Sequence, residues 1–299
     1  MRNFLSICIN HVMNITKMNI LTIDVEDWFH LLDNSNTETE KDWCDFESRI
    51  HQNIEFILSI LNKHSSKATF FILGWIAEKY PGIVKQILDL GHEIGSHTHM
   101  HQLVYRQSPN DFKNDVERSI KTLEDISGQK VKYFRAPGFS IRSSEVWAFD
   151  ILYKLGIEID CSVFPTTRAH GGYPGFGNCE PSIIKHNGTL IKELPINFYR
   201  LFKNNIVFAG GGYFRLLPYF MIKNMTTNSD YVMSYFHPRD FDPEQPVLDG
   251  LSMVRIFKSY VGLRSSRRKF ERYLVDFDFV DVHNARMLID WDKVPLVEL

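Results

Sequence analysis

The chain has 299 residues, of which 44% are hydrophobic and 23% are charged. These proportions are typical of a folded globular protein and exclude a disordered, collagen-like or coiled-coil chain. With 34 Lys and Arg against 36 Asp and Glu, the formal net charge is −2, so overall charge attracts neither nucleic acid nor an anionic membrane. A chain of this length forms one large domain or two small ones and needs no disulfide to be stable.

Nothing in the sequence indicates export or a membrane span. The four cysteines form no C-x-x-C pair, which excludes a zinc ribbon or thioredoxin motif and favours reduced thiols. The apolar run from Phe4 to Ile9 is short and no cleavage site follows it, so no signal peptide is predicted. No stretch approaches the ~18 apolar residues of a membrane-spanning helix. We expect a poorly ordered tail over residues 1–17 and a cytoplasmic protein, with action at the inner membrane surface if its substrate is lipid-linked.

Predicted strands and helices alternate along the chain. Short apolar, partly β-branched runs predict strands at residues 19–24, 68–73, 93–96, 131–134, 157–160, 190–195 and 231–237. Apolar residues at helical spacing predict helices at residues 46–64, 81–90, 109–126 and 143–155. The alternation predicts an α/β fold with mostly parallel strands.

Polar residues lie just past the carboxyl ends of these predicted strands, the edge where parallel-sheet sites form. Asp24, Glu26 and Asp27 place three carboxylates within four residues after the first strand. Their mutual repulsion needs a metal ion or an Arg to offset it. An acidic turn that caps a helix is the ordinary alternative for this group alone.

Three histidines, His97, His99 and His101, lie within five residues. On a helix, positions 97 and 101 would share a face and His99 would point elsewhere, whereas on a strand all three would share one face. Two imidazoles, a carboxylate and a water can complete the coordination of a divalent metal. A polar surface turn is the alternative for this segment alone.

Two further groups end later strands. Arg135 stands before a Pro-Gly turn and can fix an ionised Asp. His237 ends the last predicted strand and suits a general acid. A surface Arg and a structural His are the commoner roles of such residues in isolation.

Taken in this order, the motifs resemble the polysaccharide deacetylase family, also called NodB-homology or carbohydrate esterase family 4. The segments ILTIDVED, SHTHMH, FRAPGF and FHP carry the resemblance, which covers about residues 18–240. The chain also resembles the subfamily of exopolysaccharide and exosortase (PEP-CTERM) loci, in the longer segments DVEDWF, RAPGFS, GGGYFRLLP and FHPRDFD. The resemblance implies a distorted (β/α) barrel over residues 18–240, with residues 241–299 as a C-terminal extension packed on it.

The resemblance also implies catalytic roles. Asp24 would be the general base for the attacking water, Arg135 would hold that base in place, and His237 would protonate the leaving amine. A backbone N–H near Gly138 or Phe139 would help to stabilise the oxyanion.

His97 and His101 would be the metal-binding histidines. Many family members supply the metal carboxylate from the residue directly after the base, but here that residue is Val25. Glu26 or Asp27 must take its place, with a slight preference for Glu26, which shares a strand face with the base. Zn²⁺ is the first choice of metal, and cobalt or nickel would fit the same ligands.

The implied reaction is hydrolysis of N-acetyl groups on the amino sugars of a polysaccharide, in exopolysaccharide biosynthesis. Trp28, Phe139 and Tyr213 are candidates to stack on sugar rings, although we expect at least one to pack in the core. Arg215 and Arg239 are candidates to meet an acidic polysaccharide, with structural roles as the alternative.

Two alternatives keep part of this interpretation. One is a metal-dependent C–N hydrolase of small cyclic imides or ureides, and the other is a catalytically inactive carbohydrate-binding relative. The charge balance and the absence of a basic aromatic stripe speak against a nucleic-acid partner. The oligomeric state and the identity of the polymer stay open.

Overall fold

The computed structural model describes residues 17–32, 34–168, 170–201 and 204–299, so the predicted tail lies outside the described residues except for Lys17. The strands are β1 (Met18–Val25), β2 (Thr69–Ile72), β3 (Glu93–Ser96), β4 (Tyr133–Phe134), β5 (Ile159–Asp160), β6 (Ser182–His186), β7 (Thr189–Glu193), β8 (Tyr199–Leu201), β9 (Asn204–Ile206), β10 (Tyr231–Phe236) and β11 (Leu296–Glu298). The α-helices are α1 (Glu40–Trp43), α2 (Ile50–Lys63), α3 (Gly74–Lys79), α4 (Pro81–Asp89), α5 (Pro109–Ser127), α6 (Trp147–Lys154), α7 (Gly211–Leu216), α8 (Tyr219–Thr227), α9 (Met253–Tyr260), α10 (Leu263–Asp276) and α11 (Val282–Leu288). Single turns of 3-10 helix cover Ser35–Thr37, Val104–Arg106, Pro137–Phe139, Pro174–Phe176 and Pro238–Phe241.

Nine strands form one sheet in the order β10-β1-β2-β3-β4-β5-β7-β6-β11, and β8 pairs separately with β9. Every pair from β10 across to β7 is parallel, and only the β6–β7 pair within this sheet is antiparallel. The prediction of an α/β fold with mostly parallel strands is therefore confirmed.

The core strands are apolar because helices or other strands cover both of their faces. Ile20 and Leu21, on opposite sides of β1, are fully buried, and so are Phe70 and Phe71 on opposite sides of β2. Helix α5 of the covering layer begins with a side-chain N-cap. Ser108 caps its first turn by accepting from the Asp111 backbone N–H.

Residues 194–201 and 204–209, which we call the seam, close the sheet into a distorted barrel. At one side the seam continues the β5–β7 pairing, since Leu194 N donates to Asp160 O at 3.0 Å. At the other side Tyr235 N of β10 donates to Ala209 O at 3.1 Å. Met233 N donates to Asn197 Oδ1 at 3.0 Å. This side-chain oxygen takes the place of the backbone carbonyl that a neighbouring strand would offer.

The C-terminal residues pack against the barrel at several points. The buried Phe270 ring of α10 lies 5.0 Å from Phe236 of β10 and 4.7 Å from Phe241, measured between ring centroids. Val282 N at the start of α11 donates to Thr69 Oγ1 of β2 at 2.9 Å. Among the described residues, no helix has the length and apolar character that crossing a bilayer requires.

Two predicted helices begin four residues later than expected: α6 begins at Trp147 and not at residue 143, and α2 begins at Ile50 and not at residue 46. The intervening segment is held in an extended loop by the strand end of β1. Trp28 Nε1 donates to Glu47 O at 3.0 Å, and the Asp27 carboxylate accepts from Arg49 N at 3.1 Å. Tertiary hydrogen bonds thus override the helical pattern of these residues.

We predict that Phe270→Ala destabilises the whole barrel. Truncation of a fully buried Phe costs about 3–5 kcal/mol, and here the ring contacts both β10 and the turn after it. Denaturant unfolding should show one transition at lower denaturant concentration, whereas the exposed neighbour variant Arg268→Ala should unfold like the wild type. A variant that loses only a separate, early transition would show that α10 folds independently of the barrel.

Candidate active site and metal centre

A buried ion pair joins the ends of β1 and β4. Arg135 Nη1 lies 2.8 Å from Asp24 Oδ1, and the side chains are 0% and 2% exposed. The same nitrogen donates to Thr22 Oγ1 at 2.6 Å, and Arg135 Nε donates to Cys161 O at 3.1 Å. The guanidinium also lies over the Phe71 ring at 4.4 Å. These contacts hold the Asp24 carboxylate in one orientation.

Glu26, His97 and His101 form a buried group whose ligand atoms all lie within 4.8 Å of one another. Glu26 Oε1 lies 3.2 Å from His97 Nε2 and 3.0 Å from His101 Nε2. Such a set of two imidazoles and a carboxylate is one that Zn²⁺ and related divalent ions accept, with room for a further ligand.

The tautomer of His97 gives a physical reason to expect a cation in this group. The carbonyl oxygen of Arg135 can only accept, so its 2.7 Å contact places the hydrogen on His97 Nδ1. In the neutral imidazole Nε2 is then an acceptor, and it faces an acceptor oxygen of Glu26. Two acceptors at this distance repel unless a proton or a cation lies between them. His101 Nε2 is likewise buried, 3.0 Å from the same Glu26 oxygen, so the donor set fits a cation.

The charges around Glu26 favour the ionised form of its carboxyl. Burial alone would raise the pKa of its carboxyl, but when the histidines are protonated the positive fields of His101 and His237 and the histidine hydrogen bonds lower that pKa well below its usual value. The carboxylate form is the one that binds a cation.

Asp27 lies outside this group. Its carboxylate accepts from Ser48 Oγ at 2.5 Å, from Arg49 N at 3.1 Å and from Trp28 N at 2.8 Å. Burial raises its pKa against these hydrogen bonds. Of the two carboxylates that the sequence left open, the structure places Glu26 beside the histidines and gives Asp27 a role in holding the loop before α2.

His237 follows β10 and reaches the same space. Its Nε2 lies 3.9 Å from Asp24 Oδ2 and 3.7 Å from Glu26 Oε1. Its Nδ1 contacts Asp240 Oδ2 at 3.0 Å, and Asp240 Oδ1 in turn forms an ion pair with Arg215, with 2.9 Å to Nε. Burial opposes protonation of His237, but the carboxylates of Glu26, Asp240 and Asp24 raise its pKa to about 9.

Asp240 is a site residue that sequence reasoning did not assign. The signal was present, because Asp240 stands three residues after His237 across a Pro-initiated turn, the spacing of a capping box. Arg215 was a candidate for contact with an acidic polymer. The structure instead buries it in the ion pair with Asp240, and Arg239 is buried with its Nε donating to Gln245 Oε1 at 2.9 Å.

The loop that carries the two histidines is held by Asp115 of α5, another residue that the sequence did not reveal. The Asp115 carboxylate accepts from His99 N at 2.8 Å and from Met100 N at 3.0 Å. Thr98 and His101 adopt positive φ angles of 68° and 53°, a conformation that side chains of this kind rarely adopt without support. The two hydrogen bonds provide that support. The His99 side chain is fully buried outside the metal group.

The structure separates the residues predicted to contact sugars. Trp28 is 4% and Phe139 2% exposed, so both pack in the core and offer little ring surface to a ligand, whereas Tyr213 is 42% exposed. Phe139 N already donates to Ala136 O at 3.1 Å. Gly138 has a φ of 61°, and a Cβ atom added at this residue would lie only 2.8 Å from the Leu32 side chain. A larger residue there would be strained.

Comparison with known proteins agrees with the fold and the motifs. A family model described as polysaccharide deacetylase matches residues 35–158, and one described as a domain of unknown function (DUF3473) matches residues 161–286. A crystal structure of a Mycobacterium smegmatis protein assigned to the polysaccharide deacetylases has a TM-score of 0.64 at 17% identity and covers 95% of this chain and 93% of its own. That similarity supports the fold.

Two curated relatives are similar over shorter ranges. The peptidoglycan-N-acetylglucosamine deacetylase of Bacillus cereus is 37% identical over 100 residues, which are 32% of this chain and 36% of that protein. The chitooligosaccharide deacetylase of Azorhizobium caulinodans is 33% identical over 111 residues, which are 36% of this chain and 51% of that protein. The chain thus spans about half of these relatives' length or less.

Residues 35–158 are thus a polysaccharide deacetylase domain of the NodB-homology type, carbohydrate esterase family 4, and the second model covers most of the remaining chain. Asp24 and Glu26 precede the range matched by that family model, and His237 lies in the range of the second model. The described site is therefore assembled from more of the chain than the first model covers.

We predict that Asp115→Ala loosens the histidine loop. Two backbone N–H groups would lose their acceptor, which costs about 1–3 kcal/mol when they stay buried. Denaturant unfolding should report that loss. The matched control is Asp125→Ala, an exposed Asp on the same helix, which should leave stability unchanged. Equal stability of the two variants would show that Asp115 does not hold the loop.

Proposed function

We propose that this protein is a metal-dependent deacetylase that removes N-acetyl groups from the amino sugars of a polysaccharide. The observation that supports this most directly is the convergence of three groups at one end of the barrel. These are the Asp24–Arg135 pair, the Glu26–His97–His101 group and His237 with Asp240. The two curated relatives are named for deacetylation of N-acetylated glycans, which supports the same class of reaction.

In this proposal, Glu26, His97 and His101 hold a divalent cation, with Zn²⁺ preferred on ligand chemistry. When bound, such a cation polarises the acyl oxygen and acidifies water at the site. The Arg135 carbonyl orients His97 through Nδ1, which leaves Nε2 as the ligand atom.

The protein's own groups then carry the proton transfers. Asp24, fixed by Arg135, takes a proton from the water whose oxygen attacks the acyl carbon. The backbone N–H of Gly138 donates a hydrogen bond to the developing oxyanion. His237, oriented by Asp240, gives its proton to the nitrogen as the C–N bond breaks, so the products are acetate and a free amino sugar.

We place the substrate in exopolysaccharide biosynthesis. The support is the subfamily resemblance of the segments DVEDWF, RAPGFS and FHPRDFD. A related hydrolase of small cyclic imides would share the metal group, and a substrate screen separates the two because only a deacetylase releases acetate from a glycan.

The first test combines metal analysis with an acetate-release assay on N-acetylchitooligosaccharides. We expect about one divalent cation per chain, acetate release that chelation abolishes, and recovery when Zn²⁺ is returned. Activity that survives complete removal of the metal would contradict the proposal.

We predict that Asp24→Asn keeps its metal but loses turnover. The substitution keeps the size of the side chain and removes the proton acceptor, so kcat should fall by about 10²–10⁴-fold. Metal content by elemental analysis is the control for an intact site. Wild-type turnover in this variant would remove Asp24 from the role of base.

We predict that His97→Ala loses the cation. One of three protein ligands is gone, and the remaining carboxylate and imidazole bind a divalent ion weakly. Elemental analysis after dialysis should show a metal content well below that of wild type. The exposed His51→Ala variant should remain loaded, and a loaded His97→Ala protein would mean that the ligands lie elsewhere.

A further inference from the structure

Arg168 lies in the loop after β5, with its guanidinium supported by three aromatic rings. Its Cζ is 4.7 Å from the Phe139 ring centre, 5.0 Å from Phe164 and 5.6 Å from Tyr235. Its Nη1 also lies 3.5 Å from the Tyr235 hydroxyl. A guanidinium stacked in this way is held in position while the N–H groups at its edge stay available.

Backbone contacts fix the loop that carries Arg168. Gly172 N donates to Phe139 O at 2.9 Å, and Tyr173 N donates to Phe164 O at 2.7 Å. Gly172 has φ +91°, and a Cβ there would lie 2.2 Å from Thr166 O, so the turn requires glycine. The loop is therefore docked on the turn that follows Arg135.

Arg168 lacks a carboxylate partner of the kind that Arg135 and Arg215 have. Arg135 pairs with Asp24, and Arg215 pairs with Asp240. Within the described part of the chain, no carboxylate oxygen lies within 4.0 Å of the Arg168 guanidinium. Its side chain is half-buried, so it remains accessible to a ligand.

Arg168 is also close to the proposed chemistry. Arg168 stacks on the Phe139 ring, and the centre of the same ring lies 5.4 Å from the Arg135 guanidinium. The Tyr235 ring lies 6.1 Å from the His237 ring. One aromatic ring thus separates Arg168 from the residue that fixes the base, and one separates it from the proposed acid.

We propose that Arg168 binds an anionic group, a carboxylate or a phosphate, on the glycan next to the amino sugar that loses its acetyl group. A guanidinium offers paired N–H donors that match the two oxygens of such a group. This inference rests on the proposed function and makes an acidic or phosphorylated glycan the preferred substrate class. It also assigns to Arg168 the anion contact that the buried Arg215 and Arg239 do not make.

The test compares three probes of defined chemistry. N-acetylchitotetraose is neutral, a disaccharide of N-acetylglucosamine and N-acetylmuramic acid carries a carboxylate, and UDP-N-acetylglucosamine carries a diphosphate. Equilibrium affinity and acetate release are measured for the wild type, Arg168→Gln, Arg168→Lys and the exposed control Arg264→Gln. Arg168→Met, which keeps apolar packing on the rings without charge, controls for loss of folding.

We expect the wild type to bind one of the two anionic probes more tightly than the neutral probe. Arg168→Gln and Arg168→Met should weaken that binding about 10-fold or more, with an effect below about twofold on the neutral probe. Arg168→Lys should retain part of the affinity, and Arg264→Gln should behave as wild type. The carboxylate and diphosphate arms show which anion is recognised.

Equal affinity of the wild type for all three probes, or equal losses on neutral and anionic probes, would overturn the assignment of Arg168. Failure of the proposed function looks different. In that case the wild type releases no acetate from any probe, while the affinity measurements still decide whether Arg168 binds an anion.

Discussion

The site depends on Arg135, a fully buried guanidinium at the end of a strand of only two residues. Its side chain fixes Asp24, and its main-chain carbonyl fixes the tautomer of His97. A buried charge of this kind is tolerated only with a well-placed partner and further hydrogen bonds. Thr22 and the carbonyl of Cys161 supply them. One residue thus orients both the carboxylate proposed as the base and an imidazole proposed as a ligand.

The sequence allowed prediction of the elements that are strongly patterned and of the residues at their ends. Strands β1 and β2 are largely apolar runs, and the residues after them converge because parallel strands end at one edge. The β6–β7 hairpin went unpredicted although Asn187-Gly188, both at positive φ, is the pair that a tight hairpin turn favours.

Other parts of the site could not be predicted, because they depend on tertiary contacts between distant segments. Asp115 looks like any polar residue on the outer face of an amphipathic helix until its carboxylate meets the backbone of the histidine loop. Trp28 follows an acidic cluster in sequence, yet its indole packs edge-on against Phe46 with ring centres 5.2 Å apart. Sequence proximity to a motif indicates where a side chain starts and not which way it points.

The seam, residues 194–201 and 204–209, affects the local stability of the barrel. A strand ladder opens only when many bonds break together, but the seam is joined to β10 by a few isolated bonds, from Tyr235 N to Ala209 O, from Met233 N to the Asn197 side chain and from the Tyr231 hydroxyl to Pro195 O. Segments held by few bonds exchange their amide hydrogens through local openings of low free energy. The wall between β7 and β10 should therefore open locally at a lower free energy than the central strands, which stay paired along continuous ladders.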